Sequence, residues 1–215
     1  MRALLALPVL ALIAAPGCMS NTVKAEERQK VEINYPPPKP MESRKWIAVC
    51  DFEDKSGYGK GRLGTQMSDV LQKELFASQQ FRIFERQQLK HAIDEQKLGG
   101  TGLVDPSTAA AVGKIKGVKY VVYGAVTNFG IKPSRDNFIV GSTKRYVVNC
   151  EVDVKLFDVE TSEVIWMDSG RGTALSSSTM VLGAGSSAGY DESLAGDGLR
   201  AAIVSFINKL IAAAP

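Results

Sequence analysis

The chain has 215 residues, of which 45% are hydrophobic and 23% are charged. This length and composition suit one domain with a buried core and leave residues for an extension outside it. The formal net charge is only +3, and Lys and Arg are scattered among Asp and Glu, which excludes the basic patch that nucleic-acid binding requires.

The first residues are typical of an export signal. One positive charge at Arg2 precedes an apolar run over residues 3–15, which is too short to span a bilayer. Small residues then lead to Cys18 in the pattern of a bacterial lipobox, although Ala15 stands where Leu is usual. We therefore expect cleavage of a signal peptide at 1–17 and acylation of Cys18. The alternative is an ordinary signal peptide with a chance cysteine.

A lipidated cysteine predicts where the mature chain resides. Met19 is not the Asp that typically retains such proteins at the inner membrane, so we expect an outer-membrane protein that faces the periplasm. Several acyl chains together make such an anchor in the lipid bilayer stable. Residues 18–43 then form a tether, and its YPPPKP run is typical of a stiff, extended spacer.

Cys50 and Cys150 are the other two cysteines. An oxidising periplasm permits a disulfide between them, and that alternative stays open. Both lie in alternating apolar patterns typical of strands, where a cysteine packs as a small hydrophobic residue, so we favour two unpaired core cysteines. The sequence has neither a CxxC motif nor a Cys/His cluster, and we expect no metal site.

Residues 44–215 read as one α/β (α+β) domain. Apolar residues on both faces of the run after Lys45 predict a strand covered on both sides. The elements alternate in the order βαβααβββα, which predicts a single mixed β-sheet flanked by helices. The predicted strands cover residues 46–52, 80–85, 118–129, 146–159 and 164–175, and the predicted helices cover 62–78, 86–96, 105–117 and 194–213.

No catalytic constellation is present in the sequence. His91 is the only histidine and has no Cys or Asp partner in any motif, and there is no nucleophile elbow. Asp51, Glu53 and Asp54 could be imagined as a metal site, but carboxylates at a strand end more often cap the following loop. The GAGSSAG run lacks the Lys-Ser/Thr of a phosphate loop. We expect neither an enzyme nor a bound cofactor.

Several runs together resemble the curli secretion lipoprotein family (CsgG-like). They are IAVCDFEDKSG, FRIFERQQL, IDEQKLGGTGLVD, GVKYVVYGAVTNF and VDVKLFDVETSEVIW, and they cover nearly the whole exported chain. The chain departs from the family at Ser162, where Gly is usual. The resemblance implies an acylated subunit that assembles with copies of itself into an outer-membrane ring for protein secretion.

In such a ring, each subunit adds two hairpins to a shared barrel that unfolded fibre subunits cross, and a loop after the first strand narrows the channel. The matching loop here is 54–61, with Tyr58, Lys55 and Lys60 as its channel-constriction candidates. It is shorter than in the best-known members and lacks their Asn-Phe pair. The membrane hairpins would have to come from 130–145 and 168–190, where neither segment has a consistently apolar face.

The sequence thus predicts a non-enzymatic outer-membrane lipoprotein, a homo-oligomeric component of an envelope secretion or assembly apparatus with secreted or envelope proteins as cargo or partners. The alternative is a monomeric, tethered periplasmic lipoprotein that regulates a cell-wall synthase or scaffolds another envelope complex. A tether of about twenty residues reaches roughly 70 Å when fully extended, which is short for crossing the cell wall.

Overall fold

The computed structural model describes residues 32–85, 117–139, 141–181, 184–185 and 192–214. The predicted signal peptide, Cys18, His91 and the predicted helix at 86–96 lie outside these residues, as does the predicted helix at 105–117 except for Gly117. Within them, no helix combines the length and the apolar composition that crossing a membrane needs.

The described residues form one mixed sheet and two long helices. The strands are β1 (Lys45–Val49), β2 (Glu53–Asp54), β3 (Phe81–Phe84), β4 (Tyr120–Phe138), β5 (Gly141–Asp158), β6 (Glu163–Val181) and β7 (Ala184–Gly185), and the helices are α1 (Arg62–Ala77) and α2 (Glu192–Ala213). The sheet order is β3-β1-β4-β5-β6-β7, with β2 paired to β4. The predicted α+β domain with one mixed sheet is confirmed.

The parallel part of the sheet comes from the crossover that the sequence predicts. β1 pairs in parallel with β3 on one side and with β4 on the other, and α1 makes the connection between β1 and β3. β2 continues along β4 after a short break, with Glu53 opposite Ala125. The following strands β4, β5 and β6 run antiparallel to one another.

Helix α1 packs through the stripe that its periodicity predicts. Leu63, Met67, Leu71 and Leu75 are fully buried, and each such side chain contributes about 1.5–3 kcal/mol through burial. The helix begins after Gly61, whose φ of 82° lies in the left-handed region that favours glycine. Helix α2 places its predicted apolar face inward on β5 and β6; this face consists of Leu199, Ile203, Phe206, Ile207 and Leu210.

Strand β5 has one buried and one wet face over its second half. Val148, Cys150, Val152, Val154 and Leu156 are buried under the helices. The other face of this sheet carries polar cross-strand pairs: Arg171 lies 2.8 Å from Glu151 and Ser169 Oγ donates to Asp153 at 2.6 Å. The alternating apolar and polar residues of this strand therefore form its buried face and its solvent-exposed face.

The long strands differ from the lengths that the sequence predicts. β4 and β5 stay paired from Tyr120 and Asp158 out to Phe138 and Gly141, so residues 130–145 are a hairpin continuous with the sheet. β6 runs beside them to Val181, and only its last two residues pair back with β7. Within the described part of 168–190, β6 lies beside β5, and the pairing of its last two residues with β7 is antiparallel.

Candidate functional site

The loop after β1 is a compact, internally hydrogen-bonded turn. Asp54 Oδ1 accepts hydrogen bonds from Ser56 N at 3.1 Å and from Ser56 Oγ at 2.6 Å, while Tyr58 N donates to Ser56 Oγ at 3.1 Å. Gly57 and Lys60 adopt positive φ values of 70° and 54°. This geometry explains the short polar side chains at Asp54 and Ser56 and the glycine at Gly57.

The three constriction candidates point to different surroundings within this loop. Tyr58 is partly buried, and its ring lies 5.0 Å from the ring of Phe129 at the edge of the core. Lys55 and Lys60 are exposed, and Lys55 Nζ lies 3.0 Å from Glu53. Tyr58 therefore fixes the loop to β4, and the two lysines are its solvent-facing groups.

The acidic residues at the end of β1 do not converge on a metal position. Among the described residues, no three His, Cys, Asp or Glu side chains are grouped in a way that could hold a metal ion. Asp54 instead uses Oδ1 to cap the loop, and its Oδ2 is buried without a hydrogen-bond partner. The carboxylate therefore has a structural position at the start of the loop.

The two described cysteines are free, buried and on opposite faces of the sheet. Cys50 packs with Ala48, Phe84 and Phe157, whereas Cys150 belongs to the larger cluster under α1 and α2. Burial raises the pKa of each thiol to about 12. A thiol in such surroundings is protonated and unreactive, and behaves as a small apolar side chain.

The proline-rich segment lies against the domain instead of extending from it. Ile33 and Tyr35 pack on the core, Gln80 Nε2 donates to Pro37 O at 2.8 Å, and Lys39 N donates to Gln79 O at 3.2 Å. Residues 33–39 therefore belong to the folded domain and not to a free spacer.

One polar network joins this segment to both helices. Glu74 on α1 accepts from the hydroxyl of Tyr35 and lies 2.6 Å from Nε of Arg200 on α2. Burial, followed by the hydrogen bond to Glu74, raises the pKa of Tyr35 above its usual range, so the phenol stays protonated and donates. Glu74 thus holds three parts of the chain together.

We expect Glu74→Ala to lower the free energy of unfolding by about 1–3 kcal/mol, because it removes the carboxylate that the Tyr35 hydroxyl and the Arg200 guanidinium both contact. Denaturant unfolding measures this loss, and faster amide exchange at Lys39 reports the loosened segment. Glu42→Ala, at an exposed residue, is the control and should change neither quantity. Equal stability of the two variants would contradict the role of Glu74.

Two exposed apolar surfaces lie at the edges of the sheet. The first, the β3 surface, is a shallow groove where β3 pairs only with β1 among the described strands. Met41 and Phe76 are 56% and 73% exposed there, beside Trp46, and the Arg82 guanidinium lies 5.7 Å from the Trp46 ring. Large apolar side chains at an open strand edge are typical of an interaction surface.

The second, the β6 surface, lies at the opposite side of the sheet. Val164, Ile165 and Met167 are exposed at the start of β6, with Met167 64% accessible. Within the described residues, the outer edge of β6 is paired only at Met180 and Val181, by β7. Exposed apolar side chains therefore lie at both edges of the described sheet.

Sequence reasoning missed both surfaces and the docked segment. Met41 falls in the predicted tether, and Phe76 and Met167 look like ordinary apolar residues of a helix and a strand, since nothing local marks which apolar residues a sheet edge leaves uncovered. Phe76 offers the one available signal, because it lies off the apolar stripe of α1 that Leu71 and Leu75 define.

Comparison with known proteins gives the family. Residues 29–214 match the family described as curli production assembly/transport component CsgG. A predicted lipoprotein of Neisseria meningitidis serogroup B (NMB1126/NMB1164) is 28% identical over 216 residues, which cover 94% of this chain and 90% of that protein. Neither description names an enzyme.

Two solved structures resemble the fold. The lipoprotein GNA1162 from Neisseria meningitidis is 16% identical with a TM-score of 0.45, covering 78% of this chain and 98% of that one. The LpoB C-terminal domain from Escherichia coli is 19% identical with a TM-score of 0.44, covering 59% and 81%. Because the family match spans nearly the whole domain, the chain belongs to the CsgG family of curli production assembly/transport components.

Proposed function

We propose that this protein is a non-enzymatic lipoprotein of the outer membrane, anchored through acylated Cys18 and facing the periplasm. It associates with copies of itself as a component of an envelope secretion or assembly apparatus, with secreted or envelope proteins as cargo. The observation that carries the proposal is the pair of exposed apolar surfaces at opposite edges of one sheet. Family membership is consistent with it.

The position of the two surfaces favours head-to-tail association. They consist of different residues, so a contact between the β3 surface of one copy and the β6 surface of the next leaves one surface open at each end. Repeating this contact closes a ring when the rotation between copies permits it. In such a ring the loop with Tyr58, Lys55 and Lys60 is our candidate for narrowing the central opening.

The alternative is a monomeric tethered regulator of a cell-wall synthase or a scaffold for another envelope complex. The β3 surface favours it, since a groove beside an open strand can also receive a different protein. The docking of residues 33–39 on the domain weighs against it, because the spacer that remains is shorter. The two functions differ in one measurable property, self-association of the purified chain.

The test is mass photometry of the purified lipidated protein and of two surface variants, Phe76→Glu in the β3 surface and Met167→Glu in the β6 surface. We expect the unmodified protein to form oligomers and each variant alone to be monomeric. An equal mixture of the two variants should give dimers, because each variant supplies the surface that the other lacks. Ile139→Glu, also an exposed apolar residue, should leave the oligomer intact.

Each other outcome has a defined meaning. An unmodified protein that stays monomeric at every concentration contradicts the proposal and favours the regulator. A Met167→Glu variant that still dimerises while Phe76→Glu does not would show a symmetric contact between two β3 surfaces, and would contradict the head-to-tail geometry.

A further inference from the structure

Arg82 on the edge strand β3 is held in place by two contacts. Its Nε donates a hydrogen bond to the carbonyl oxygen of Met41 at 3.2 Å, and its guanidinium lies 5.7 Å from the centre of the Trp46 ring. No acidic side chain in the described part of the chain pairs with it. The two terminal nitrogens are therefore available to a carboxylate, which an arginine can bind through two parallel hydrogen bonds.

The surroundings of Arg82 are cationic. Arg44 lines the same groove, and Lys45 pairs with Phe81, the residue before Arg82, across the β1–β3 ladder. Neither cation has an acidic partner among the described residues. The segment 41–46 contributes these two cations against one carboxylate, Glu42. The β3 surface therefore combines exposed apolar side chains with an excess of positive charge.

The beginning of the β6 surface is acidic. The turn that leads into β6 contains Asp158, Glu160 and Glu163, and Lys119 lies between the first two, with its Nζ 3.6 Å from Asp158 and 2.5 Å from Glu160. Glu163, the first residue of β6, is exposed and has no cationic partner within the described ranges. An uncompensated carboxylate thus stands beside the exposed apolar side chain of Val164.

The strand pairings place Arg82 and Glu163 at nearly the same height in the sheet. One row of paired residues crosses the sheet from edge to edge: Ile83, Ile47, Tyr120, Asp158 and Glu163. Arg82 precedes Ile83, so the two charged residues differ by about 3.3 Å along the strand direction. Copies in a closed ring are related by rotation without translation along its axis. When the strands run along that axis, residues of equal height meet.

We propose that Arg82 of one copy binds Glu163 of the next, and that this ion pair selects the head-to-tail contact and sets its register. The inference rests on the proposed function, because it names the charges that join the two surfaces. A contact between two β3 surfaces would bring arginine against arginine, and one between two β6 surfaces would bring glutamate against glutamate. Both symmetric contacts are thereby disfavoured, while the apolar side chains supply the contact area.

The test is mass photometry of the full-length lipidated protein with Arg82→Glu, Glu163→Arg or both changes. Each single reversal places like charges in every head-to-tail contact, so we expect self-association to weaken by about tenfold or more. The double variant again has opposite charges in every contact and should associate within about threefold of the unmodified protein. Arg135→Glu, at an exposed position on the hairpin 130–145, is the control and should associate normally.

Mixing the two single variants gives a second test that shows both chains to be folded. Arg82→Glu carries a carboxylate at both positions, and Glu163→Arg carries a guanidinium at both. Only contacts between unlike variants then join opposite charges, and each chain can make such a contact at both of its edges. An equal mixture should therefore form oligomers larger than dimers, at a concentration where each variant alone is monomeric.

The outcomes separate this inference from the proposed function. If the unmodified protein forms oligomers and the single reversals associate equally well, Arg82 and Glu163 are not in contact, and only the inference fails. It also fails alone if the double variant and the mixture associate as weakly as the single variants. An unmodified protein that is monomeric at every concentration overturns the inference and the proposed function together.

Discussion

Replacing Gly172 by alanine should be among the most destabilising single changes in this domain. A Cβ at this position would lie 2.2 Å from the backbone nitrogen of Ala202 and 2.4 Å from the carbonyl oxygen of Gly198, both on α2. Backbone atoms cannot move aside as a flexible side chain can, so the helix must shift from the sheet as a unit. We expect a loss of about 3 kcal/mol in the free energy of unfolding.

Gly130→Ala is the matched control for this change. Gly130 lies on β4 in the overhanging part of the hairpin, and a Cβ there would meet no atom within 4 Å. Alanine at this position should be neutral or slightly stabilising, because it restricts the unfolded chain without straining the folded one. Thermal and denaturant unfolding of both variants measure the difference. Equal stability of the two variants would mean that α2 does not pack directly against Gly172 of β6.

The close approach at Gly172 also illustrates what the sequence can and cannot predict. The apolar face of α2 follows from the spacing of Leu199, Ile203 and Phe206, and its burial needs no knowledge of the partner. The sequence does not predict that this face packs on Gly170 and Gly172, because glycines in a strand are equally typical of bulges. Periodicity identifies the buried face of an element, but not the element against which it packs.

The family resemblance implies a hairpin at 130–145, but the hydrophobic pattern does not show it. Hydrophobic alternation identifies a strand through its burial, and it ends where burial ends, near Phe129 and Val148. Beyond that point, Lys132, Pro133 and Arg135 interrupt the pattern, although the backbone ladder continues to Phe138. Backbone hydrogen bonds hold this part of the hairpin together, and any sequence of side chains can form them, so the pattern of apolar and polar residues does not reveal it.

The turn between β5 and β6 contains a departure from the family pattern that the backbone geometry explains. Ser162 adopts a φ of 60°, in the left-handed region where a side chain is strained and glycine is not. The family resemblance implies Gly at this position, so the departure at Ser162 is a local cost to the turn rather than a change of fold. The docked segment before β1 had no such signal, because YPPPKP reads as a spacer whether or not it touches the domain.

Phe206→Ala should have the second large effect. Phe206 is 1% exposed in the contact between α2 and β6, where its ring lies 6.1 Å from that of Trp166 and its edge rests against Gly170. Removing the ring leaves a cavity between a helix and a sheet, neither of which can collapse into it. We expect a loss of about 3–5 kcal/mol, measured by denaturant unfolding at constant m-value.

Phe76→Ala removes the same side chain from the surface of α1, where it is 73% exposed, and should change stability by no more than about 0.5 kcal/mol. The same variant should nevertheless weaken self-association, because Phe76 belongs to the β3 surface. The pair therefore separates two uses of one residue type: Phe206 contributes to the fold and Phe76 to the interface. A large loss of stability in Phe76→Ala would mean that its ring is buried within the domain, and the β3 surface would then no longer be available to a neighbouring copy.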